Sequence, residues 1–130
     1  MRDTVLSSDE LITGVELPPP SEVSRTSAYR KARDRASFAF AVASVAVGVR
    51  TDGDSITELR LAYGAVAPKP WRAHRAESAL RGGRIGSART ADAVALDFAE
   101  ARPLPQNGFK VELAVRLATA TILELARISQ

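Results

Sequence analysis

Hydrophobic and polar residues alternate most clearly in the middle of the chain. From Ser37 to Val49 small and β-branched residues predominate, which favours a strand over a helix. The next residues, Thr51-Asp52-Gly53-Asp54, indicate a turn, because Asp-Gly accepts the positive φ values of a tight hairpin. After it, Leu59, Leu61 and Tyr63 alternate with Glu58, Arg60 and Ala62. This pattern predicts an antiparallel hairpin with one buried face.

The second half of the chain has helical periodicity. A short helix is predicted at about 72–81, ended by Gly82-Gly83. A second helix is predicted at about 87–100, and a third at about 108–128. The apolar side of the second comprises Ala88, Ala91, Val94, Ala95 and Phe98, and that of the third comprises Val111, Ala114, Val115, Ala118, Ile122 and Leu125. Leu113 and Leu117 fall outside the latter stripe, so this helix should make a second contact.

The N-terminal residues predict a separate element. Residues 9–17 are interpreted as a strand on the basis of Leu11, Ile12, Val15 and Leu17. Pro18-Pro19-Pro20 then makes a stiff connector. We therefore expect residues 1–20 to be a terminal strand and linker from a preceding domain, and residues 21–130 to be a C-terminal domain. With a short extended segment at 27–33, the predicted fold is α+β, a three- or four-stranded antiparallel sheet with three helices packed on one face.

Composition excludes several classes of chemistry. The chain has no cysteine, so it has no disulfide, no thiolate nucleophile and no cysteine-ligated iron–sulfur cluster. His74 is the only histidine, and no motif links serine, histidine and acidic residues. No catalytic and no metal-binding residue is therefore predicted. The longest apolar run is shorter than the ~18 residues of a membrane span, and no signal peptide is visible. We expect a cytoplasmic location, with the periplasm left open.

Three sequence blocks are the most informative. The first is Ser27-Ala28-Tyr29-Arg30-Lys31 with Arg33-Asp34-Arg35, the second is Gly64-Ala65-Val66-Ala67-Pro68 with Lys69-Pro70-Trp71-Arg72-Ala73, and the third is residues 107–113. In these blocks the sequence resembles the C-terminal domain of the FAD-binding subunit of molybdenum hydroxylases, the xanthine dehydrogenase, aldehyde oxidoreductase and CO dehydrogenase flavoprotein family. The resemblance runs from about residue 9 to the end. In such subunits the N-terminal parts hold most of the flavin, and we expect these parts to lie outside this sequence.

The resemblance implies an accessory domain of an oxidoreductase. In such enzymes electrons pass from a molybdenum centre through iron–sulfur clusters to FAD, and this domain would form one wall of the flavin site and part of the subunit interface. The implied partners are the N-terminal FAD-binding domains and the molybdopterin and iron–sulfur subunits, with a homodimer of the fragment as a further expectation. Neither a membrane nor a nucleic acid is expected as a partner. The isolated fragment is not expected to retain FAD or to catalyse a reaction.

Tyr29, Arg30 and Lys31 are the cofactor-binding residues that the resemblance implies. A tyrosine ring packs on a flavin, and a cation stabilises negative charge near its pyrimidine end. Relatives place the cation one or two residues after the aromatic residue, so Arg30 and Lys31 remain equal alternatives. Without a flavin, the same residues would be an edge strand with exposed cations.

Two other functions remain open. The first is a purely structural assembly domain, in which Trp71, Leu113 and Leu117 contact other proteins. Trp71 could equally fill the join between the sheet and the helices. The second is a nucleic-acid-binding module built on the basic segment 25–35, which is disfavoured because aromatic residues are not interleaved with its cations. Many relatives have a second glycine where this chain has Ala65, so residues 64–68 are interpreted as a tight strand exit rather than a ligand loop.

Overall fold

The computed structural model describes residues 4–128, and a four-stranded antiparallel sheet forms their centre. Its strands are β1 (Ser27–Ala32), β2 (Ala43–Asp52), β3 (Ser55–Gly64) and β4 (Trp71–Arg72), in that spatial order. Gly53 and Asp54 connect β2 to β3, and Gly53 has a φ of 51°. The predicted hairpin is therefore confirmed, and a glycine lies where the turn needs a positive φ.

The helices are α1 (Glu22–Arg25), α2 (His74–Leu80), α3 (Ser87–Ala95) and α4 (Phe109–Ile128), with a 3-10 turn at Leu96–Phe98. Helix α4 packs on β2 and β1, α2 packs on β3, and α3 packs against α2 and α4. The predicted α+β fold is therefore confirmed.

We call the sheet face away from these three helices the outer face, and the short α1 approaches it. A Cβ atom at Gly48 would lie 2.8 Å from the carbonyl oxygen of Val23.

The core lies between the sheet and the helices. Val45, Val47 and Val49 of β2 are buried there, as are Leu59, Leu61 and Tyr63 of β3. Helix α4 contributes Ala114, Ala118, Ile122 and Leu125, which confirms most of its predicted stripe. Leu113 and Leu117 are half-buried and pack against the same core. Burying each large aliphatic side chain contributes about 1.5–3 kcal/mol, so these residues supply most of the driving force for folding.

The strand predicted from Ser37 is wrong in its first part, because β2 begins only at Ala43. Residues 33–42 form an irregular loop, which the Val42 N–H closes by donating to the Ala32 carbonyl at 2.8 Å. Strand β1 ends at Ala32, which pairs with Ala43 at the start of β2. Residues 37–42 therefore have no neighbouring strand to pair with. Phe38 has a φ of 48°, and the side chains of Phe38 and Phe40 are 98% and 100% exposed.

The helix predicted at 87–100 is also corrected, because its α-helical part ends at Ala95. Its buried residues are Thr90, Ala93 and Val94, whereas Ala88 and Ala95 are exposed. The physical reason is that α3 lies against two helices, α2 and α4, which together define its buried side. Most residues of the predicted apolar stripe are alanines, which are only weakly hydrophobic. The sequence pattern therefore does not show which side of α3 is buried.

No strand forms at residues 9–17 in this chain. Leu11, Ile12, Val15 and Leu17 are 65–84% exposed, and no strand of the described sheet pairs with them. The strand predicted there is therefore absent from this structure. A partner in a preceding domain remains a prediction.

Glu77 connects α2 to the edge of the sheet. Its buried carboxylate accepts the Leu61 N–H at 2.8 Å. It also binds the Arg72 guanidinium through two contacts, of which the Nη2–Oε2 distance is 3.1 Å. Strand β4 ends at Arg72, so the Leu61 amide has no strand carbonyl on that side. The Glu77 carboxylate therefore satisfies the buried Leu61 amide. Leaving a buried amide without a hydrogen-bond partner costs free energy of folding.

Replacing Glu77 by Ala should lower the free energy of unfolding by about 1.5–3 kcal/mol, because a buried amide loses its charged acceptor. Urea unfolding followed by circular dichroism measures the change. Glu112→Ala is the matched control, since Glu112 and Arg116 form an exposed ion pair within α4. It should cost at most about 0.5 kcal/mol. Equal losses in the two variants would contradict the role of Glu77.

Deleting residues 1–20 should leave the thermal midpoint nearly unchanged, because residues 11–17 contribute no side chain to the core. The same deletion should reduce self-association, since an unpaired apolar segment promotes contact between chains. Differential scanning calorimetry and light scattering make the two measurements. A large loss of stability in a strictly monomeric protein would show that residues 11–17 belong to this domain's own sheet.

Candidate functional site

The register of β1 on β2 separates the three predicted cofactor residues. Arg30 lies opposite Val45, whose side chain is buried under the helices. Tyr29 lies opposite Ala46 and Lys31 opposite Ser44. Successive side chains of a strand point to opposite faces of the sheet. Tyr29 and Lys31 therefore share the outer face, and Arg30 lies on the helical face.

The contacts of the two cations differ accordingly. The Arg30 guanidinium lies 2.9 Å from the Glu124 carboxylate of α4, so its charge is paired on the helical side. The Lys31 Nζ donates to the carbonyl oxygen of Ala39 at 3.2 Å, in the loop 33–42. Tyr29 is 61% exposed. Sequence reasoning left Arg30 and Lys31 as equal alternatives, because residue spacing alone does not show that Glu124 lies beside Arg30.

On the outer face of the sheet, small residues lie between the charged edges. Ser44 lies opposite Gly64, and Ala46 lies opposite Ala62. A Cβ atom at Gly64 would come within 2.4 Å of the Ser44 hydroxyl, so a side chain there would require the hydroxyl to move. Beside Tyr29 lies a depression of about 590 Å3, whose small lining residues include Ala46, Gly48 and Ala62 and whose charged ones include Arg60 and Arg72. A floor without large side chains lets a flat molecule approach the backbone.

The exit from β3 is tight, as predicted for residues 64–68. The strand ends at Gly64, and Ala65 has a φ of 62°, in the left-handed region that glycine adopts without strain. The Lys110 ammonium donates to the Ala65 carbonyl at 3.3 Å and links this turn to α4. A glycine at position 65 would adopt this φ without strain.

A second cleft, of about 450 Å3, lies at the β4 end of the domain. Trp71 lines it and is 45% exposed. The predicted alternative for Trp71, a plug between sheet and helices, is therefore wrong. Tyr63 and Phe98 fill that join instead, with their ring centres 4.8 Å apart in an edge-to-face arrangement.

Asp97 organises the wall of this second cleft, and sequence analysis missed it. Its carboxylate accepts the backbone N–H groups of Arg75 at 3.2 Å and Ala76 at 3.0 Å, which caps the start of α2. Burial, with a smaller contribution from the Asp97 charge, raises the pKa of the Tyr63 hydroxyl. Asp97 lies 21 and 22 residues from the amides that it caps, so no local capping motif indicates the contact.

Within residues 4–128, no three histidine or acidic side chains come together as a group that could hold a metal ion. His74 lines the second cleft. Across the same residues, no helix is both long and apolar enough to cross a membrane.

Comparison with known proteins shows the family. Residues 27–125 match the model of the CO dehydrogenase flavoprotein C-terminal domain. The chain belongs to this family, which confirms the resemblance seen in its sequence blocks. The FAD-binding subunit of an aldehyde oxidoreductase from Escherichia coli (strain K12) is 41% identical over 122 residues. That match covers 94% of this chain but 35% of the relative, so the chain spans about a third of the relative's length.

Solved structures show the same fold. Quinoline 2-oxidoreductase from Pseudomonas putida 86 matches with a TM-score of 0.72 at 23% identity, over 80% of this chain and 38% of the other. The carbon monoxide dehydrogenase of Hydrogenophaga pseudoflava that lacks the Mo-pyranopterin moiety of its cofactor matches with a TM-score of 0.67 at 25% identity. That match covers 79% of this chain and 37% of the other.

Ala65→Gly should raise the free energy of unfolding by about 0.5–1 kcal/mol, because relief of the left-handed strain outweighs the added flexibility of the unfolded chain. Ala67→Gly is the matched control, since Ala67 lies in the same turn without a positive φ. It should lower stability by a similar amount. Urea unfolding distinguishes the two signs, and a loss of stability in both variants would contradict strain at Ala65.

Proposed function

We propose that this domain forms one wall of the flavin site in the FAD-binding subunit of a molybdenum-containing hydroxylase, with Tyr29 and Lys31 as its flavin contacts. One observation carries the assignment. Tyr29 and Lys31 are both exposed and lie side by side on the outer face of the sheet, whereas Arg30 is paired with Glu124 on the other face. Family membership and a relative named as an FAD-binding subunit support the cofactor.

The residues of the outer face fit a flavin edge. FAD, when bound, supplies a carrier that accepts electrons and passes them to an external acceptor. The exposed ring of Tyr29 offers an apolar surface with a polar tip for packing on a flat ring system. The Lys31 ammonium has a carbonyl as its contact and no carboxylate within ion-pair distance among the described residues. Its charge is available to stabilise negative charge on the pyrimidine end of a flavin.

The rest of the flavin site would come from other parts of the subunit. The chain spans about a third of the relative that carries the FAD-binding name. We place the remaining flavin contacts in N-terminal domains of the subunit. In the same proposal, the exposed apolar residues of segment 11–17 belong to a strand that pairs with strands of those domains. Molybdopterin and iron–sulfur subunits would complete the path of electrons to FAD. This domain would then hold the flavin and face those partners without a complete active site of its own.

A purely structural assembly domain is the second candidate. The half-exposed Trp71 favours it, because tryptophan is enriched among residues that anchor protein interfaces. This alternative differs from the first in making no use of Lys31.

In a complete FAD-binding subunit, Lys31→Ala should lower FAD retention or shift the flavin potential. Loss of one charge-assisted hydrogen bond costs about 1.5–3 kcal/mol. Arg30→Ala is the matched control, since it removes only the half-exposed pair with Glu124. Flavin content per subunit after gel filtration and the reduction potential are measured for both. Unchanged values in both variants would favour the assembly domain, and a larger effect of Arg30→Ala would overturn the choice of Lys31.

A further inference from the structure

The second cleft combines an apolar floor with exposed apolar residues beside it. Val66, Trp71, Phe98 and Val111 line it, and the loop at residues 99–108 borders it through Ala101, Pro103 and Asn107. Leu104 and Phe109, which adjoin lining residues in the chain, are both exposed. The exposed apolar area therefore extends beyond the cleft. An enclosed small-molecule site buries most of its apolar surface, whereas an exposed apolar area with polar residues at its rim is typical of protein-binding surfaces.

The charges of the cleft do not cancel. Of the two acids in its lining, Asp97 accepts two backbone N–H groups and Glu100 pairs with Arg75. Arg72 is likewise committed to the buried Glu77. Both acids and two of the cations therefore already have partners inside the domain.

Two further cations remain at the rim. Arg102 and Lys110 line the cleft, and neither has a carboxylate within ion-pair distance among residues 4–128. The Lys110 ammonium contacts only a neutral carbonyl, that of Ala65. Tryptophan and arginine are among the side chains most enriched in the hot spots of protein interfaces. An occupant with negative charge around an apolar group would complement this arrangement.

We propose that the second cleft docks an acidic segment of a partner protein. One large apolar side chain of that segment packs against Trp71 and Phe98, and flanking carboxylates pair with Arg102 and Lys110. The site is separate from Tyr29 and Lys31 on the outer face. It therefore does not depend on flavin contact, and its failure would leave the proposed flavin wall untouched.

Trp71 reports directly on occupancy of the cleft because it is the only tryptophan in the chain. The probe is a blocked synthetic heptapeptide with one central phenylalanine, a glycine on each side of it and two carboxylate residues at each end. Titration at low salt should give a saturable blue shift of Trp71 emission as the indole leaves water. The shift should weaken as salt is raised, since salt screens the rim charges. Circular dichroism confirms that the protein stays folded throughout.

Matched peptides test which groups of the partner matter. A peptide with serine in place of the phenylalanine should lose most of the binding, and a peptide with lysines in place of the acids should not bind. Equal binding of the serine peptide would overturn the proposal, because charge alone would then explain the effect. Benzoate producing the same saturable shift as the acidic peptide would also overturn it, in favour of a small-anion site.

Matched protein variants test which groups of the cleft matter. Arg102→Ala and Lys110→Ala should each weaken the acidic peptide by about threefold, the scale of a partly exposed ion pair. Arg116→Ala is the control, because Arg116 lies on the solvent side of α4 and pairs with Glu112. It should leave the titration unchanged. An equal effect of Arg116→Ala, or no saturable shift up to about 5 mM peptide, would overturn the assignment.

Discussion

The register of β1 against β2 is the constraint on which the candidate site depends. Strand β2 presents Val45, Val47 and Val49 to the helices, and their burial allows only one of its faces to point inward. A slip of one residue would exchange the faces of every side chain on β1. The same slip would place Arg30 beside the small-residue floor and turn Tyr29 toward α4. Hydrophobic burial in a neighbouring strand thus determines which cation is available to a ligand, although neither cation takes part in the core.

The features that could be predicted are those that depend on residues close together in sequence. The hairpin follows from Asp52-Gly53 and the alternation after it, and α4 follows from a long apolar stripe. The loop at 33–42 could not be predicted, because its apolar composition suits a strand and only the end of pairing at Ala32 prevents one. The buried side of α3 depends on two neighbouring helices. In each of these cases tertiary contacts override local preference.

The candidate sites show the same division. Sequence blocks indicated the family and the segment Tyr29 to Lys31, whereas the choice between the cations needed Glu124, 94 residues away from Arg30. Glu77 and Asp97 were not singled out because each acts on backbone amides that belong to another part of the chain. Arg72 lines both the outer depression and the second cleft, and Glu77 fixes its position between them. One buried carboxylate, which a pattern of residue types does not reveal, therefore holds an arginine that both surfaces share.

The loop at 33–42 has a consequence for how proteins with this fold can diverge. One hydrogen bond, from Val42 to Ala32, closes it at the base, and none of its apolar side chains belongs to the core. Doubling the length of such a loop adds only about 0.6 kcal/mol of closure entropy. Insertions and deletions there would leave the strand register intact. They would, however, move the Ala39 carbonyl that holds the Lys31 ammonium, so changes in loop length can retune the position of one positive charge without refolding the domain around it.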